Sequence, residues 1–201
     1  MDKQENLYIV DSLNHRIQKL TKDGKFLAKW GNLGSGEGEF DSPWGIGLDG
    51  QGFVYVVDHG NHRVQKFTPE GEFVAKFGSQ GSDAGQLNYP SDVSIDPDGD
   101  LYVCDWGNNR VQIFAPDGKF LATLVGDAQN LGKWHQDIVD ANLDNQRARR
   151  RADLSMEWTL QMPRGVTFDP AKDRILIADT QRSRIQIYDK PRNYMEPQLN
   201  L

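Results

Sequence analysis

The chain has 201 residues, one cysteine and a formal net charge of −6, and this length suits one domain or one array of repeats. A single cysteine excludes an internal disulfide framework and a cysteine-rich zinc site. The acidic balance, with a pI near 5.2, disfavours a surface that coats nucleic acid or binds an anionic membrane. No apolar run approaches the ~20 residues of a membrane-spanning helix, and the first six residues lack the apolar core of a signal peptide. We therefore expect a soluble protein.

One sequence pattern recurs four times along the chain. An apolar, strand-like run ends in an aspartate, and an arginine follows that aspartate by five residues. The four aspartate–arginine pairs are Asp11 and Arg16, Asp58 and Arg63, Asp105 and Arg110, and Asp179 and Arg184. The aspartates are spaced by 47, 47 and 74 residues, so an insertion of 27 residues precedes the last copy. A repeated step of this size indicates a repeat architecture.

Each unit contains short strands separated by turn signals. In the second unit the predicted strands a to d are residues 45–49, 53–57, 63–67 and 72–77. Between strands c and d, Pro69 presets φ and Gly71 supplies a positive φ, as a tight turn requires. Four antiparallel strands in a unit of this length predict a blade of a β-propeller. A β-sandwich is the alternative.

These units resemble the NHL repeat. The matching pattern is Pro-x-Gly-Ile/Val, then an apolar strand ending in Asp, then Asn-His-Arg-Ile/Val-Gln. It is carried by stretches such as Pro43-Trp44-Gly45-Ile46 and Asn61-His62-Arg63-Val64-Gln65. The resemblance covers residues 6–189 apart from the insertion. It implies an all-β propeller of four-stranded antiparallel blades, usually six in a ring, that serves mostly as a binding platform. It does not fix a ligand.

We interpret residues 1–201 as one partial NHL propeller. Its four blades are predicted at about 6–31, 40–78, 87–126 and 158–189, with a helical insertion at 127–157 and a tail at 190–201. The blades contain 3, 4, 4 and 3 predicted strands. A closed six-bladed ring would need about 309 residues. We therefore expect an open arc, which is a fragment or half of an assembly and which exposes blade edges for self-association.

The repeated aspartates and arginines are expected to have structural roles. They stand at the two feet of the b–c hairpin, where a carboxylate and a guanidinium can form a bidentate pair. The asparagines Asn14, Asn61 and Asn108 suit the same turn by bonding their own backbone. Cys104 lies inside strand b and is expected to be a small buried side chain.

Candidate binding residues lie where the repeat varies. Since successive strands alternate in direction, the b–c loops and the d–a connections share one face, and loops on a rigid scaffold favour binding. The positions after the strand-a proline and after the strand-b aspartate carry side chains that are common at contact surfaces. The predicted binding residues are Trp44, His59, Trp106 and Arg164. Packing of the tryptophans between blades is the alternative.

The insertion holds a basic cluster in an acidic chain. Residues 131–142 predict an amphipathic helix, and Asp144 is expected to cap a second helical segment. The cluster consists of Arg147, Arg149, Arg150 and Arg151. It predicts either a solvated helix face over the propeller rim or a contact with an acidic partner or with single-stranded RNA, which some NHL propellers bind.

We therefore favour a non-enzymatic binding or scaffold module whose partner is a protein, a peptide or a small ligand. The sequence contains no catalytic-triad, phosphate-loop or His-Glu-x-x-His pattern, and we predict no catalytic residue, metal or cofactor. Two alternatives stay open. One is a propeller lyase or lactonase with a metal in its channel, for which Asp92 is an acidic candidate. The other is RNA binding through the arginine cluster.

Overall fold

The structure is a computed structural model that describes residues 1–127, 133–149, 151, 155–192 and 194. Within these residues the chain forms four antiparallel sheets of 3, 4, 4 and 3 strands, together with a few short helices. The prediction of an all-β fold built from such sheets is confirmed. Across the same residues, no helix has the length and apolarity needed to cross a membrane.

The strands run in chain order, and consecutive strands of a sheet are hydrogen-bonded. The first blade holds β1 (Leu7–Asp11), β2 (Arg16–Leu20) and β3 (Phe26–Trp30). The second holds β4 (Pro43–Leu48), β5 (Val54–Asp58), β6 (Arg63–Phe67) and β7 (Phe73–Phe77). The third holds β8 (Asp92–Ile95), β9 (Leu101–Asp105), β10 (Arg110–Phe114) and β11 (Phe120–Leu124). The fourth holds β12 (Pro163–Asp169), β13 (Arg174–Asp179) and β14 (Arg184–Asp189).

Helices occupy the insertion between β11 and β12. They are α1 (Lys133–Asp140), α2 (Leu143–Arg149) and α3 (Ser155–Trp158). The expected start of the first helix, Leu131, lies outside the described residues. The backbone N–H of Asp144 donates to the side-chain oxygen of Asn142 at 2.8 Å. Asn142 therefore caps α2, and the expectation that Asp144 is the cap was wrong.

Apolar clusters fill the gaps between consecutive blades. Side chains of a strand alternate between its two faces, so Val54 and Val56 of β5 pack towards the first blade, whereas Tyr55 and Val57 pack towards the third. Because a blade covers each face, every residue of β5 is buried. The outer face of β14 has no such cover, and Ile185 on it is 63% exposed.

The inner strands β4, β8 and β12 lie side by side. Two side chains of β8 bond the edge of β12: Asp92 Oδ2 accepts the N–H of Val166, and Ser94 Oγ accepts the N–H of Phe168, both at 3.0 Å. On the other side, Gly45 of β4 approaches Asp92 so closely that an added Cβ would lie 2.6 Å from its Cα. This packing brings the beginnings of β4, β8 and β12 together.

Candidate binding site

The b–c turns and the d–a connections form one face of the molecule, which we call the upper face. Its b–c turns are short 3-10 turns at Ser12–Asn14, His59–Asn61, Trp106–Asn108 and Thr180–Arg182. Each turn is followed by a non-glycine residue in the left-handed region, whose N–H bonds back to the carbonyl of the first residue of the turn. These residues are His15, His62, Asn109 and Ser183, with φ between 49° and 56°. A conformation that is uncommon for such residues therefore recurs in every blade.

Each strand-b aspartate is held by the arginine that opens strand c. The distance from Arg Nε to Asp Oδ2 is 2.7 or 2.8 Å in all four blades. The pairs are single contacts and not bidentate as expected, because the Nη2 of Arg63 instead donates to the carbonyls of Gly36 and Glu39. The asparagine also differs from expectation, since Asn61 Nδ2 donates to both carboxylate oxygens of Asp58 at 3.0 Å. The network thus joins a blade to the preceding d–a loop.

Aromatic side chains of the second and third blades meet on the upper face. Trp44, at the start of β4, stacks on His59 with a centroid distance of 3.9 Å and an interplanar angle of 22°. Trp106 lies edge-on to Trp44 at 6.5 Å. Tyr89 contacts His59 at 5.2 Å and His62 at 4.3 Å. These five residues form what we call the aromatic cluster, in which Trp44 and Tyr89 are 40% and 43% exposed.

The histidine of the stack has a defined tautomer. His59 Nδ1 lies 2.9 Å from the carbonyl oxygen of Pro90. This oxygen can only accept a hydrogen bond, so Nδ1 carries a proton, and the tautomer with this proton has Nε2 as its acceptor. The first blade shows the same link, because Ser12 Oγ donates to the carbonyl of Pro43 at 2.5 Å. In the first and second blades, the residue after the strand-b aspartate therefore ties its turn to the proline of the next blade.

In His62, the second histidine of the cluster, Nδ1 accepts a hydrogen bond, whereas Nδ1 of His59 donates one. His62 is 6% exposed, and its Nδ1 accepts the backbone N–H of Tyr89 at 3.1 Å. Burial, followed by the neighbouring His59, lowers the pKa of His62. Asn109 has the same role in the third blade, since its side-chain oxygen accepts the N–H of Met162 at 2.8 Å.

Three of the four predicted binding residues are brought together, and the fourth is not. Trp44, His59 and Trp106 belong to the aromatic cluster. The Nε1 of Trp106 is buried without a hydrogen-bond partner in the described part of the chain. Arg164 is exposed at the start of β12, and it takes no part in the ring contacts that form the cluster among the described residues. Sequence reasoning missed Tyr89, which a comparison of the residues preceding each strand-a proline would have singled out.

The arginines of the basic cluster have different environments. Arg149 Nη1 lies 2.5 Å from Glu157 Oε1, and this hydrogen bond raises the pKa of Arg149. Arg147 lies 3.4 Å from Asp144 on an exposed helix surface. Arg151 is exposed, whereas the predicted contact residue Arg150 lies outside the described residues.

Asp92, a partly buried acid, lies at the start of the inner strand β8 near the upper face. Burial raises the pKa of Asp92, although its hydrogen bonds with Val166 and Val93 oppose the change. Gly45 and Gly165, at the equivalent positions of the flanking blades, have no side chain to join it. Within the described ranges, no three His, Cys, Asp or Glu side chains converge as metal ligands would.

Comparisons with known proteins agree with this architecture. The family model of the NHL repeat matches residues 40–67, 87–114 and 160–188. A search of curated protein sequences found no significant match. Solved structures show the same fold at low sequence identity. A streptogramin B lyase is 15% identical with a TM-score of 0.55, and the match covers 96% of this chain and 54% of the lyase.

Two further solved structures have different roles. An auxiliary nutrient binding protein from Bacteroides thetaiotaomicron is 15% identical with a TM-score of 0.60, over 92% of this chain and 45% of that protein. A chain of a nidogen/laminin complex is 18% identical with a TM-score of 0.55, over 94% of this chain and 62% of the other. The chain thus spans about half the length of the solved structures it matches.

The fold and the blade-joining network define a protein of the β-propeller class. The matches at three successive blades make the assignment more specific: residues 40–67, 87–114 and 160–188 are NHL repeats.

Proposed function

We propose that this protein is a non-enzymatic binding module that recognises a protein or peptide through the aromatic cluster of its upper face. The observation that carries the proposal is the stack of Trp44 on His59, which leaves a large indole surface exposed at the end of a rigid strand. A tryptophan of this kind supplies much contact area at a small cost in conformational entropy, and such residues dominate binding energies at interfaces.

The surroundings of the stack support a preformed site. His59 is fixed by its bond with Pro90 and presents Nε2 as an acceptor for a partner's N–H or O–H. A site whose side chains are already held in place loses less entropy when a partner binds. Two of the similar solved structures, a nutrient binding protein and a nidogen/laminin complex, carry binding roles by their names.

The two alternatives gain no comparable support. Arg149 already has a carboxylate partner in Glu157, so the basic cluster offers RNA less free charge than its sequence suggests. Asp92 uses one carboxylate oxygen on the backbone of β12, which is a structural use of the acid. The likeness to a lyase is a likeness of fold, and fold does not determine activity.

A displayed peptide library tests the proposal. Peptides selected on the full chain should lose at least tenfold in affinity when Trp44 is replaced by alanine, because the exposed indole face is lost. The matched control is Leu13→Ala, which removes an exposed apolar side chain from a b–c turn of the same face outside the cluster. Equal binding by the Trp44→Ala and Leu13→Ala proteins, both with wild-type stability, would refute the proposal.

A further inference from the structure

The fourth blade carries an arginine where the other blades carry an asparagine. The residue three positions after the strand-b aspartate is Asn14, Asn61 or Asn108 in the first three blades and Arg182 in the fourth. In the second and third blades this asparagine donates to a carbonyl of the preceding d–a loop, at 2.8 and 2.9 Å. Arg182 makes a contact of the same type, since its Nη2 donates to the carbonyl of Met156 at 2.6 Å. The longer side chain therefore reaches into the insertion.

The insertion keeps only the closing half of a repeat loop. In the loops before β4 and β8, an apolar residue, Phe40 or Leu87, is fully buried. The N–H of the next residue bonds the strand-b aspartate of the blade that follows. Leu160 and Gln161 repeat both features, because Leu160 is buried and the N–H of Gln161 donates to Asp179 Oδ1 at 2.8 Å. The glycine-rich opening half of the other loops is replaced by the segment that contains the helices.

A cavity of about 300 Å³ lies on the upper face between the third and fourth blades. Its wall combines residues at the b–c turns of both blades with Val125, which follows β11, and with the end of the insertion. The apolar part of the wall is formed by Val125, Met156 and Leu160, and the polar part includes Asn109 and Arg182. Leu160 is fully buried, whereas Val125 and Met156 are 56% and 68% exposed. The cavity therefore has an apolar floor and rim and a size that suits a small ligand.

Arg182 brings a positive charge to this cavity. The neighbouring Arg184 pairs with Asp179 at 2.7 Å, but no carboxylate in the described part of the chain lies within ion-pair distance of Arg182. The Nε of Arg182 is buried and has no hydrogen-bond partner among the same residues. Because a partly buried cation without a counter-charge is costly, an anion in the cavity would stabilise this side chain.

The amide of Asn109 adds a neutral donor to the wall. Its Oδ1 accepts the N–H of Met162 at 2.8 Å, which fixes the orientation of the amide and makes Nδ2 the group that is left to donate. Asn109 is exposed, so a ligand can reach it. Glu157, which follows Met156 in the chain, is not part of the wall, and its carboxylate pairs with Arg149 at 2.5 Å. The residues that line the cavity thus include one cation and an amide donor but no acid.

We propose that this cavity binds a carboxylate of single negative charge that carries an apolar group of about the size of a leucine side chain. The carboxylate pairs with Arg182 and accepts the amide N–H of Asn109, while the apolar group packs against Met156 and Leu160. One cation matches one negative charge, and the apolar wall disfavours a small hydrophilic anion such as phosphate. A free carboxylic acid and the C-terminal residue of a peptide share this chemistry. The site does not depend on the aromatic cluster, because no ring of the cluster lines the cavity.

Nuclear magnetic resonance of the isotope-labelled full chain tests the site. N-acetyl-leucine, added to millimolar concentration, should shift the side-chain N–H signals of Asn109 and Arg182 saturably, and absence of a saturable shift at both residues would overturn the proposal. N-acetyl-leucinamide, which lacks the charge, and inorganic phosphate, which lacks the apolar group, should each bind about tenfold more weakly or worse. A tripeptide of two glycines and a C-terminal leucine distinguishes the two sources of the carboxylate. Binding at least as tight as that of N-acetyl-leucine supports a peptide end as the ligand, and weaker binding supports a free acid.

Conservative variants assign the binding to the cavity. Arg182→Asn removes the charge and restores the residue of the other three blades, and Asn109→Asp keeps the acceptor for the N–H of Met162 but adds a negative charge. Both should weaken the binding of N-acetyl-leucine about tenfold or more. Arg147→Gln, which removes an exposed arginine of the insertion outside the cavity, should leave it unchanged, and so should Trp44→Ala, which separates this site from the proposed peptide site. Unchanged affinity in a folded Arg182→Asn protein, or equal binding of the acid and its amide, would overturn the proposal.

Discussion

Lys190 Nζ lies 2.6 Å from Asp96 Oδ2, although Lys190 follows the last strand of the fourth blade and Asp96 follows the inner strand of the third. The carboxylate of Asp96 is fully buried and also accepts the hydroxyl of Tyr102 at 2.8 Å. Burial alone would lower the pKa of Lys190, but its hydrogen bonds with Asp96 and Asp98 outweigh burial and raise it. The residue therefore ties the fourth blade to the third as a cation.

In the second blade, a lysine of the same blade has the role that Lys190 has for Asp96. There the equivalent aspartate, Asp49, has a lysine of its own blade, because Lys66 Nζ lies 3.9 Å away. In the third blade the position of Lys66 is taken by Ile113, which is fully buried in the interface with the fourth blade. Lys190 thus supplies from the next blade the charge that Ile113 cannot.

Replacing Lys190 by methionine should lower the free energy of unfolding by about 3 kcal/mol, because Asp96 would be left as a buried charge without its cation. Chemical denaturation measures this loss. The control is Lys22→Met, which breaks an exposed pair with Glu5 and should cost less than about 1 kcal/mol. Losses of equal size in the two variants would contradict a role for Lys190 between blades.

The sequence predicts the strands well because the constraints on them are local and repeated. Apolar runs, turn glycines and a step of 47 residues identify the three or four strands of each unit without knowledge of packing. The contacts of Lys190 could not be predicted in this way. They depend on which residue of the next blade reaches Asp96, and nothing in the spacing of the repeat indicates a partner so far along the chain.

Only part of the candidate site could be predicted from the sequence, because the contacts between its rings depend on packing. Topology places Trp44, His59 and Trp106 on one face, since their repeat positions are equivalent or adjacent. It does not predict the stack of Trp44 on His59, which depends on ring orientation. Topology also does not predict that Tyr89 belongs to the site. This residue precedes strand a, and its left-handed φ of 48° turns its ring towards the cluster.

His62 should make the protein less stable as the pH falls. Burial lowers the folded-state pKa of His62, so the unfolded chain binds the proton more readily below a pH of about 6.5. The free energy of unfolding should therefore decrease as the pH drops from 7 to 5, and protonation also removes the acceptor of the Tyr89 N–H. Thermal unfolding across this pH range measures the effect.

Asparagine is a suitable replacement for His62, because Asn109 accepts the equivalent backbone N–H in the third blade. The His62→Asn protein should retain its stability at pH 7 and lose part of its acid sensitivity. The control is His15→Asn, which changes the equivalent, more exposed residue of the first blade and should leave the contribution of His62 in place. An unchanged pH profile in His62→Asn would show that another group causes the acid sensitivity.

The close approach of the inner strands predicts a strong effect at Gly45. A Cβ at this position would lie 2.6 Å from the Cα of Asp92 and 2.7 Å from the carbonyl of Ser91, so backbone must move. We expect Gly45→Ala to lower the free energy of unfolding by about 2 kcal/mol or more, as overpacking does. Gly50→Ala is the control, because no atom lies within 4 Å of its added Cβ. A Gly45→Ala protein as stable as Gly50→Ala would show that the strands separate easily.

Cys104 should be unreactive in the folded protein. It is fully buried in the interface between the third and fourth blades, and burial, followed by the charge of Asp92, raises the pKa of its thiol. Since the thiolate is the reactive form, a thiol reagent at pH 8 should modify Cys104 only as fast as the chain opens. The modification rate should therefore rise with denaturant in parallel with unfolding, and it should rise at lower denaturant in the Lys190→Met protein, whose fourth blade is less firmly held. Rapid modification in the native protein would show that this interface opens without global unfolding.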